Sequence, residues 1–227
     1  AVRDANGSVI VYCPSVRETE AVCEALRAKF AHTNDPASRP ETRVRAYHAR
    51  LSPAARKQAH MDFLVGACDV VVATVAFGMG IDKPDIRLVV HYGAPKTMEE
   101  YYQQVGRAGR DGLPSECLML YGDNDFVKYS SEFYVGKLSA AVRATQKKST
   151  DALERFARDA VGCRRAGILA HFGERTPASW RPAPTASSAD GRPGTKNDGA
   201  VRRICGTCDA CERLAASAAS GEALEAE

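Results

Sequence analysis

Arg107 and Arg110 lie three residues apart in the stretch YYQQVGRAGRDG at 101–112, each preceded by a glycine, Gly106 and Gly109, with Gln103 and Gln104 upstream. A guanidinium is always charged and presents a fork of donors that suits phosphate oxygens. The glycines let backbone or ligand come close. The alternative, a basic helix end that only balances the helix macrodipole, needs no ligand. A second stretch, TVAFGMGIDKP at 74–84, brackets a turn with Gly78 and Gly80 directly after an apolar run. The Thr74 hydroxyl and glycine-exposed amides in such a turn can bind a phosphate. A third group is Cys205, Cys208 and Cys211 in CGTCDAC. Three thiolates on a tight knuckle need a fourth ligand for tetrahedral zinc. Cys163 is the best candidate, with His171 as the spare. Four cysteines leave no open coordination position, so the metal would be structural and not catalytic.

The elements that must position these groups alternate. β-branched or apolar runs at 8–13, 44–48, 69–74, 86–91 and 117–121 read as buried strands. Between them lie helix signals. Ser15 with Glu18 and Thr97 with Glu100 read as capping boxes, and Ser52-Pro53 supplies an N-cap and a proline at N1. The first helix has its apolar face at Val22, Leu26 and Phe30, and the second runs through Met61 and Leu64. Strand–helix alternation predicts an α/β fold with an open, mostly parallel sheet and helices on both faces. Ligands collect at the carboxyl ends of such strands, and residues 12–15, 47–49, 74–83 and the arginine stretch all fall there. This first domain is read as 1–122.

A helical second domain is read over 123–213. Asp123-Asn124-Asp125 caps a helix expected through Phe133, and a longer helix carries Leu153, Phe156, Ala160 and Val161 as a packing stripe. Residues 176–200, rich in Pro, Ser, Ala and Gly, are expected to form a mobile insertion, with Trp180 as an anchor for a partner. Residues 214–227 are expected to be a disordered tail.

The chain has 227 residues, enough for one full core and a smaller appendage. Hydrophobic content of 44% and charged content of 26% fit an ordinary globular protein, and a net charge of +3 permits nucleic-acid binding without arguing for it. No apolar run approaches the roughly 20 residues of a membrane span, so no membrane partner is expected. Of eight cysteines, four sit singly in apolar runs, which favours a metal site in an intracellular protein over a disulfide framework. No Met precedes Ala1, and the chain reads as a piece of a longer protein.

Read together, these stretches resemble one family. QxxGRxGR at 103–110 is similar to the sixth motif of superfamily-2 helicases, and GRAGRDG is its RecQ form. TVAFGMGIDKP resembles the RecQ version of helicase motif V, VIVYCPSVRETE resembles motif IV, and YHARL resembles the family's YHAGL, with Arg50 in place of the usual glycine. The CRR at Cys163, the AHFGE that follows and CGTCDAC resemble the RecQ zinc-binding domain, though the segment between first and second ligands is long. The resemblance implies a second RecA-like lobe followed by a small helical zinc-binding domain. It implies that Arg107 and Arg110, with Gln104, act on the γ-phosphate of ATP held by a first lobe. Gly80, Asp82 and Gln103 then lie near the nucleotide or couple it to DNA. Thr74, Gly78, Ser15, Arg17 and His48 contact DNA without reading sequence. Cys163, Cys205, Cys208 and Cys211 hold zinc. No GxxxxGK[ST] and no DExH-type motif occur, so ATP and Mg²⁺ would be bound mainly by the first RecA-like lobe of the same protein. The implied activity is that of an ATP-dependent 3′-to-5′ DNA helicase in recombination, repair or replication. The CRRAGILAHFGE wording is similar to Bloom-type eukaryotic members, which points to the nucleus. The rival readings are the C-terminal lobe of an RNA helicase and a non-enzymatic, zinc-stabilised DNA-binding fragment.

Overall fold

The computed structural model describes residues 7–31, 43–78, 80–131, 134, 136–182 and 203–220. It divides into two compact units, 1–143 and 144–227.

In the first unit the order is β1 (Ser8–Tyr12), α1 (Val16–Ala31), β2 (Val44–Tyr47), α2 (Pro53–Leu64), β3 (Val70–Ala73), β4 (Ile86–Tyr92), α3 (Met98–Val105), β5 (Glu116–Leu120) and α4 (Asn124–Val127). The five strands form one sheet in the order β2-β3-β1-β4-β5. All its pairings are parallel. Side chains alternate across a strand, and here both faces are apolar. Val9, Val11, Val70, Val72, Leu88 and Val90 face Cys23 and Phe30 of α1. Ile10, Tyr12, Val71, Ala73 and Val89 face Phe63 of α2 and Phe77. A sheet covered on both sides explains the continuous apolar runs.

The capping signals form as read. Ser15 Oγ accepts the Glu18 N–H at 3.2 Å and donates to its carboxylate at 2.6 Å. Ser52 Oγ accepts from Ala55 at 3.2 Å, with Pro53 opening α2. α2 runs through Met61 and Leu64 as expected; its inward face is Ala59 and Phe63, while Met61 is 47% exposed. The helix expected from 123 opens as α4 and a 3₁₀ turn, Lys128–Ser130, and Tyr134 is again helical. Asp123 makes no capping bond, whereas Asp125 accepts the Gly122 N–H at 2.9 Å and closes a tight turn in its place. Phe133 lies outside the described residues.

The second unit holds most of α5 (Ala140–Arg158), then α6 (Arg164–His171), the antiparallel pair β6 (Arg181–Pro182) and β7 (Arg203–Ile204), and α7 (Asp209–Ser220). Leu153 of the expected stripe is fully buried. Ala160 and Val161 lie beyond the end of α5, because the Asp159 carboxylate accepts the N–H groups of Val161 and Gly162 and stops the helix. Residues 183–200 of the expected insertion lie outside the described residues. The expected tail is helical as far as Ser220. Its run LAASAAS is rich in alanine, the strongest helix former. No helix among the described residues is long and apolar enough to cross a membrane.

Candidate functional site

The arginine loop is held between α3 and the start of β4. Thr97 Oγ1 accepts the Glu100 N–H at 3.2 Å and starts α3. Past the helix, the Gly109 N–H donates to the Ile86 carbonyl at 3.0 Å. Arg87 reaches both Asp111 oxygens at 2.6 Å and the Pro114 carbonyl at 3.2 Å. Gly109 sits at φ 60°, and a Cβ there would come within 2.9 Å of the Leu113 carbonyl.

This frame brings the arginines onto the glycine turn. Arg107 Nη1 lies 3.5 Å from the Ile81 carbonyl, and Arg110 Nη1 donates to the same oxygen at 3.0 Å. Arg107 is 6% exposed, yet its Nε has no hydrogen-bond partner. A buried guanidinium donor without an acceptor costs about 1–3 kcal/mol or more. A Cβ at Gly78 would lie 3.5 Å from Arg107 Nη2 and 3.2 Å from the Val75 carbonyl, so the turn approaches closely because it is glycine. Arg110 also pairs with Asp82 at 3.2 Å, and the Asp82 side chain is 93% exposed. Such a pair contributes little, which leaves Arg110 able to exchange partners. The Tyr12 hydroxyl donates to the Phe77 carbonyl at 2.9 Å beneath this turn. Burial pushes that phenol up to about 12 against the opposing charge of Arg107.

Gln104, expected to act with the two arginines, points into the interior. Its Oε1 is 2.8 Å from His91 Nε2, and its Nε2 donates to Glu100 at 3.1 Å. Glu100 in turn accepts the Lys96 N–H at 3.3 Å. Both ends of the amide are thereby committed, and Gln104 fixes α3 against β4. Gln103, one helix position away, is exposed. His91 was not singled out in the sequence, and Glu100 was read only as part of the Thr97 capping box. Burial holds His91 down at about 4, with the Gln104 bond opposing, and burial raises Glu100.

The expected nucleic-acid contacts lie at the carboxyl ends of β1, β2 and β3, with unequal access. Thr74 is buried, and its Oγ1 accepts the Ala76 N–H at 3.4 Å. Ser15 is committed to capping α1, and Arg17 beside it is exposed. His48 is only 2% exposed; Glu20 Oε1 lies 3.4 Å from its Nε2, and neither ring nitrogen makes a hydrogen bond. Its burial excludes it from a surface contact in this arrangement, whereas the neighbouring Arg50 is exposed.

In the second unit Cys163, Cys205, Cys208 and Cys211 bring their sulfurs within 4.8 Å of one another. Zn–S bonds of about 2.3 Å place tetrahedral sulfurs roughly 3.8 Å apart; Cys205 and Cys211 stand 3.9 Å apart, Cys208 and Cys211 3.4 Å. A soft, four-sulfur tetrahedron suits zinc or an iron–sulfur centre. Amides already point at the sulfurs: Arg164 N–H at Cys208 and Cys205 N–H at Cys163, both 3.3 Å. Burial raises Cys163 and takes Cys211 up to about 12. At Cys205 the upward push of burial is outweighed by hydrogen bonds from Thr207 and the neighbouring thiols, which bring it to about 7. His171 is not in the group; it stands at the end of α6, edge-on to Phe172. Arg164 braces the knuckle through Asp209 at 3.0 Å and lies over the Phe156 ring. Trp180, expected as a partner anchor, packs half-buried against the cysteine cluster.

A parallel sheet carrying an arginine loop docked on a glycine turn is the architecture of a helicase C-terminal lobe, and residues 2–112 match the helicase conserved C-terminal domain. Residues 124–212 match the RecQ zinc-binding domain. The chain belongs to the RecQ family, as its C-terminal helicase lobe with the zinc-binding domain. It is 35% identical to a putative ATP-dependent DNA helicase Q1 of Caenorhabditis briggsae, over 93% of this chain and 32% of that protein. It is 41% identical to the bifunctional 3′-5′ exonuclease/ATP-dependent helicase WRN of Mus musculus, over 75% of this chain and 11% of the other. A putative ATP-dependent RNA helicase R290 of Acanthamoeba polyphaga mimivirus is 37% identical over 75% of this chain and 29% of its own length. The chain thus spans about a third or less of each of these relatives.

Proposed function

We propose that this chain is the arginine-bearing half of an ATP-dependent, 3′-to-5′ DNA-translocating motor. The observation that carries the reading is the convergence of Arg107 and Arg110 on the Ile81 carbonyl, beside an exposed Asp82. Arg107 is held in place with its Nε unpartnered, while Arg110 has an exchangeable partner in Asp82. When a first RecA-like lobe presents ATP and Mg²⁺, the two guanidinium groups bind the γ-phosphate and stabilise the charge that develops there. Asp82 and Gly80 sense the same event, with Gln103 on the exposed side of α3. Thr74, Gly78, Ser15 and Arg17 hold the DNA backbone from the carboxyl edge of the sheet, so lobe closure steps the strand. His48 supports that edge from within.

The four cysteines would hold one structural zinc, which stabilises a unit with a small core of its own. Phosphate contacts carry no base code, so binding is sequence-independent and strongly salt dependent. Work in recombination, repair or replication, and in a nucleus, accords with this reading. The test is unwinding by the whole enzyme. The account expects activity on 3′-tailed DNA duplexes and none on 5′-tailed ones. A preference for tailed RNA would favour the second reading, an RNA helicase, which the mimiviral relative named as a putative RNA helicase keeps in play. Zinc-dependent DNA binding with no ATPase in the whole enzyme would favour a non-enzymatic role.

A further inference from the structure

The turn after β2 carries a cation that the arginine site leaves unused. The Leu51 N–H donates to the His48 carbonyl at 3.1 Å and closes a turn over 48–51 with Arg50 inside it. In the segment that resembles YHAGL, arginine stands here in place of glycine. No non-glycine residue among the described residues has a positive φ, so the turn takes arginine without backbone strain. We infer that Arg50 is an additional phosphate contact for the bound strand, extending the backbone track one site beyond Thr74. The inference rests on the proposal that a DNA strand crosses this edge of the sheet.

Three observations support it. The first is position. The sheet runs β2-β3-β1 here, and Tyr47, Ala73 and Tyr12 stand level across the three strands. The next residue of β3 is Thr74, whose N–H donates to the Tyr47 carbonyl at 3.2 Å. Neighbouring strands lie about 4.8 Å apart. The Arg50 turn therefore flanks Thr74 on one side, and the segment bearing Ser15 and Arg17 flanks it on the other, with strand ends roughly 10 Å apart.

The second is availability. The other arginines at β2 are engaged within the protein. Arg43 donates to the Gly66 carbonyl at 2.6 Å and pairs with Asp69, and Arg45 pairs with Asp62 at 2.9 Å. Arg50 and Arg17 are exposed, and neither has a hydrogen-bond or ion-pair partner among the described residues. The third is chemistry. A guanidinium is charged at every relevant pH and forks onto phosphate oxygens. A contact of that kind adds affinity and no base code.

The test measures oligothymidylate binding by the whole enzyme as salt is varied, for wild type, Arg50→Gln, Arg50→Lys, Arg17→Gln and Arg43→Gln. Each phosphate neutralised on a single strand contributes about 0.7 to the slope of log K against log salt. Arg50→Gln should lower the slope by about 0.7, which makes binding about fivefold weaker at about 0.1 M salt and equal to wild type near about 1 M. That equality at high salt shows that the variant is folded. Arg50→Lys keeps the charge and should keep the slope. Arg43→Gln removes the same charge from the opposite edge of the sheet and should leave the slope unchanged. Arg17→Gln tests the underlying track, and its slope should fall as well. An unchanged slope in Arg50→Gln beside a fall in Arg17→Gln overturns the Arg50 assignment and leaves the track intact. No fall in either overturns the track, and the Arg50 assignment goes with it. Equal falls in Arg50→Gln and Arg43→Gln would show an effect of net charge alone, which also overturns the assignment.

Discussion

His91 gives the lobe a built-in sensitivity to acid. Its ring is 1% exposed and stacks 5.8 Å from Tyr12. Nε2 pairs with the Gln104 oxygen, while Nδ1 has no hydrogen-bond partner. Because Gln104 donates its amide N–H to Glu100, its oxygen must accept, so the neutral ring carries its proton on Nε2. Protonating Nδ1 would place a charge in a buried site. Burial therefore lowers the group from 6.5 to about 4. The depressed folded value means the unfolded chain binds the proton first. Stability is fully present above pH 6.5 and is lost as pH falls from there toward 4. A gap of about 2.5 pH units corresponds to about 3 kcal/mol in full, and to about 2 kcal/mol at pH 5. The assay is urea unfolding of the zinc-loaded chain between about pH 7.5 and 5, wild type against His91→Gln. Only the difference between the two curves matters, so titrations shared by both proteins, the metal thiolates included, cancel. The variant should be less stable at neutral pH but lose about 2 kcal/mol less on acidification. Parallel curves, within about 0.5 kcal/mol, would refute the argument.

Other residues give further checks. Gly109→Ala forces an alanine into the left-handed region, which costs about 1–2 kcal/mol, and sets its Cβ against the Leu113 carbonyl; the urea midpoint should fall by an amount equal to about 2 kcal/mol or more. Arg87→Met releases the bonds to Asp111 and Pro114, so amide exchange across 109–114 should accelerate with little change in global stability. Asp111, held by Arg87 below the usual carboxylate range, should lose that bond as acid protonates it, and the same segment should loosen at low pH in the wild type. Cys208→Ser should lower bound zinc and expose the second unit to protease; full metal retention would mean the ligand set is wrong.

The strands were legible to within a residue or two, most plainly where a β-branched run is buried throughout, as Val70–Ala73 is. The caps at Ser52 and Thr97 were legible because they are local, involving residues three apart. The cysteine set was legible from spacing and resemblance. Which of two adjacent glutamines turns inward was not. Gln103 and Gln104 differ by about 100° around the helix, and only the distant His91 on β4 decides that Gln104 is interior. His48 likewise has a neighbour its own stretch does not reveal, Glu20 of α1 at 3.4 Å. The extension of α7 through Ser220 was missed because a small-residue composition was read as disorder, although alanine in quantity favours helix.

The central claim is that Arg107 and Arg110 act on ATP supplied by another lobe. The most direct measurement is DNA-stimulated ATP hydrolysis by the whole enzyme carrying Arg110→Ala, with ATP and DNA affinities measured alongside. Arginines in this role contribute about 10³–10⁵ in kcat. The account predicts a fall in kcat of roughly a thousandfold or more, with both affinities nearly unchanged. A kcat within about tenfold of wild type would contradict it, and would leave the pair as a structural tie between the glycine turn and α3.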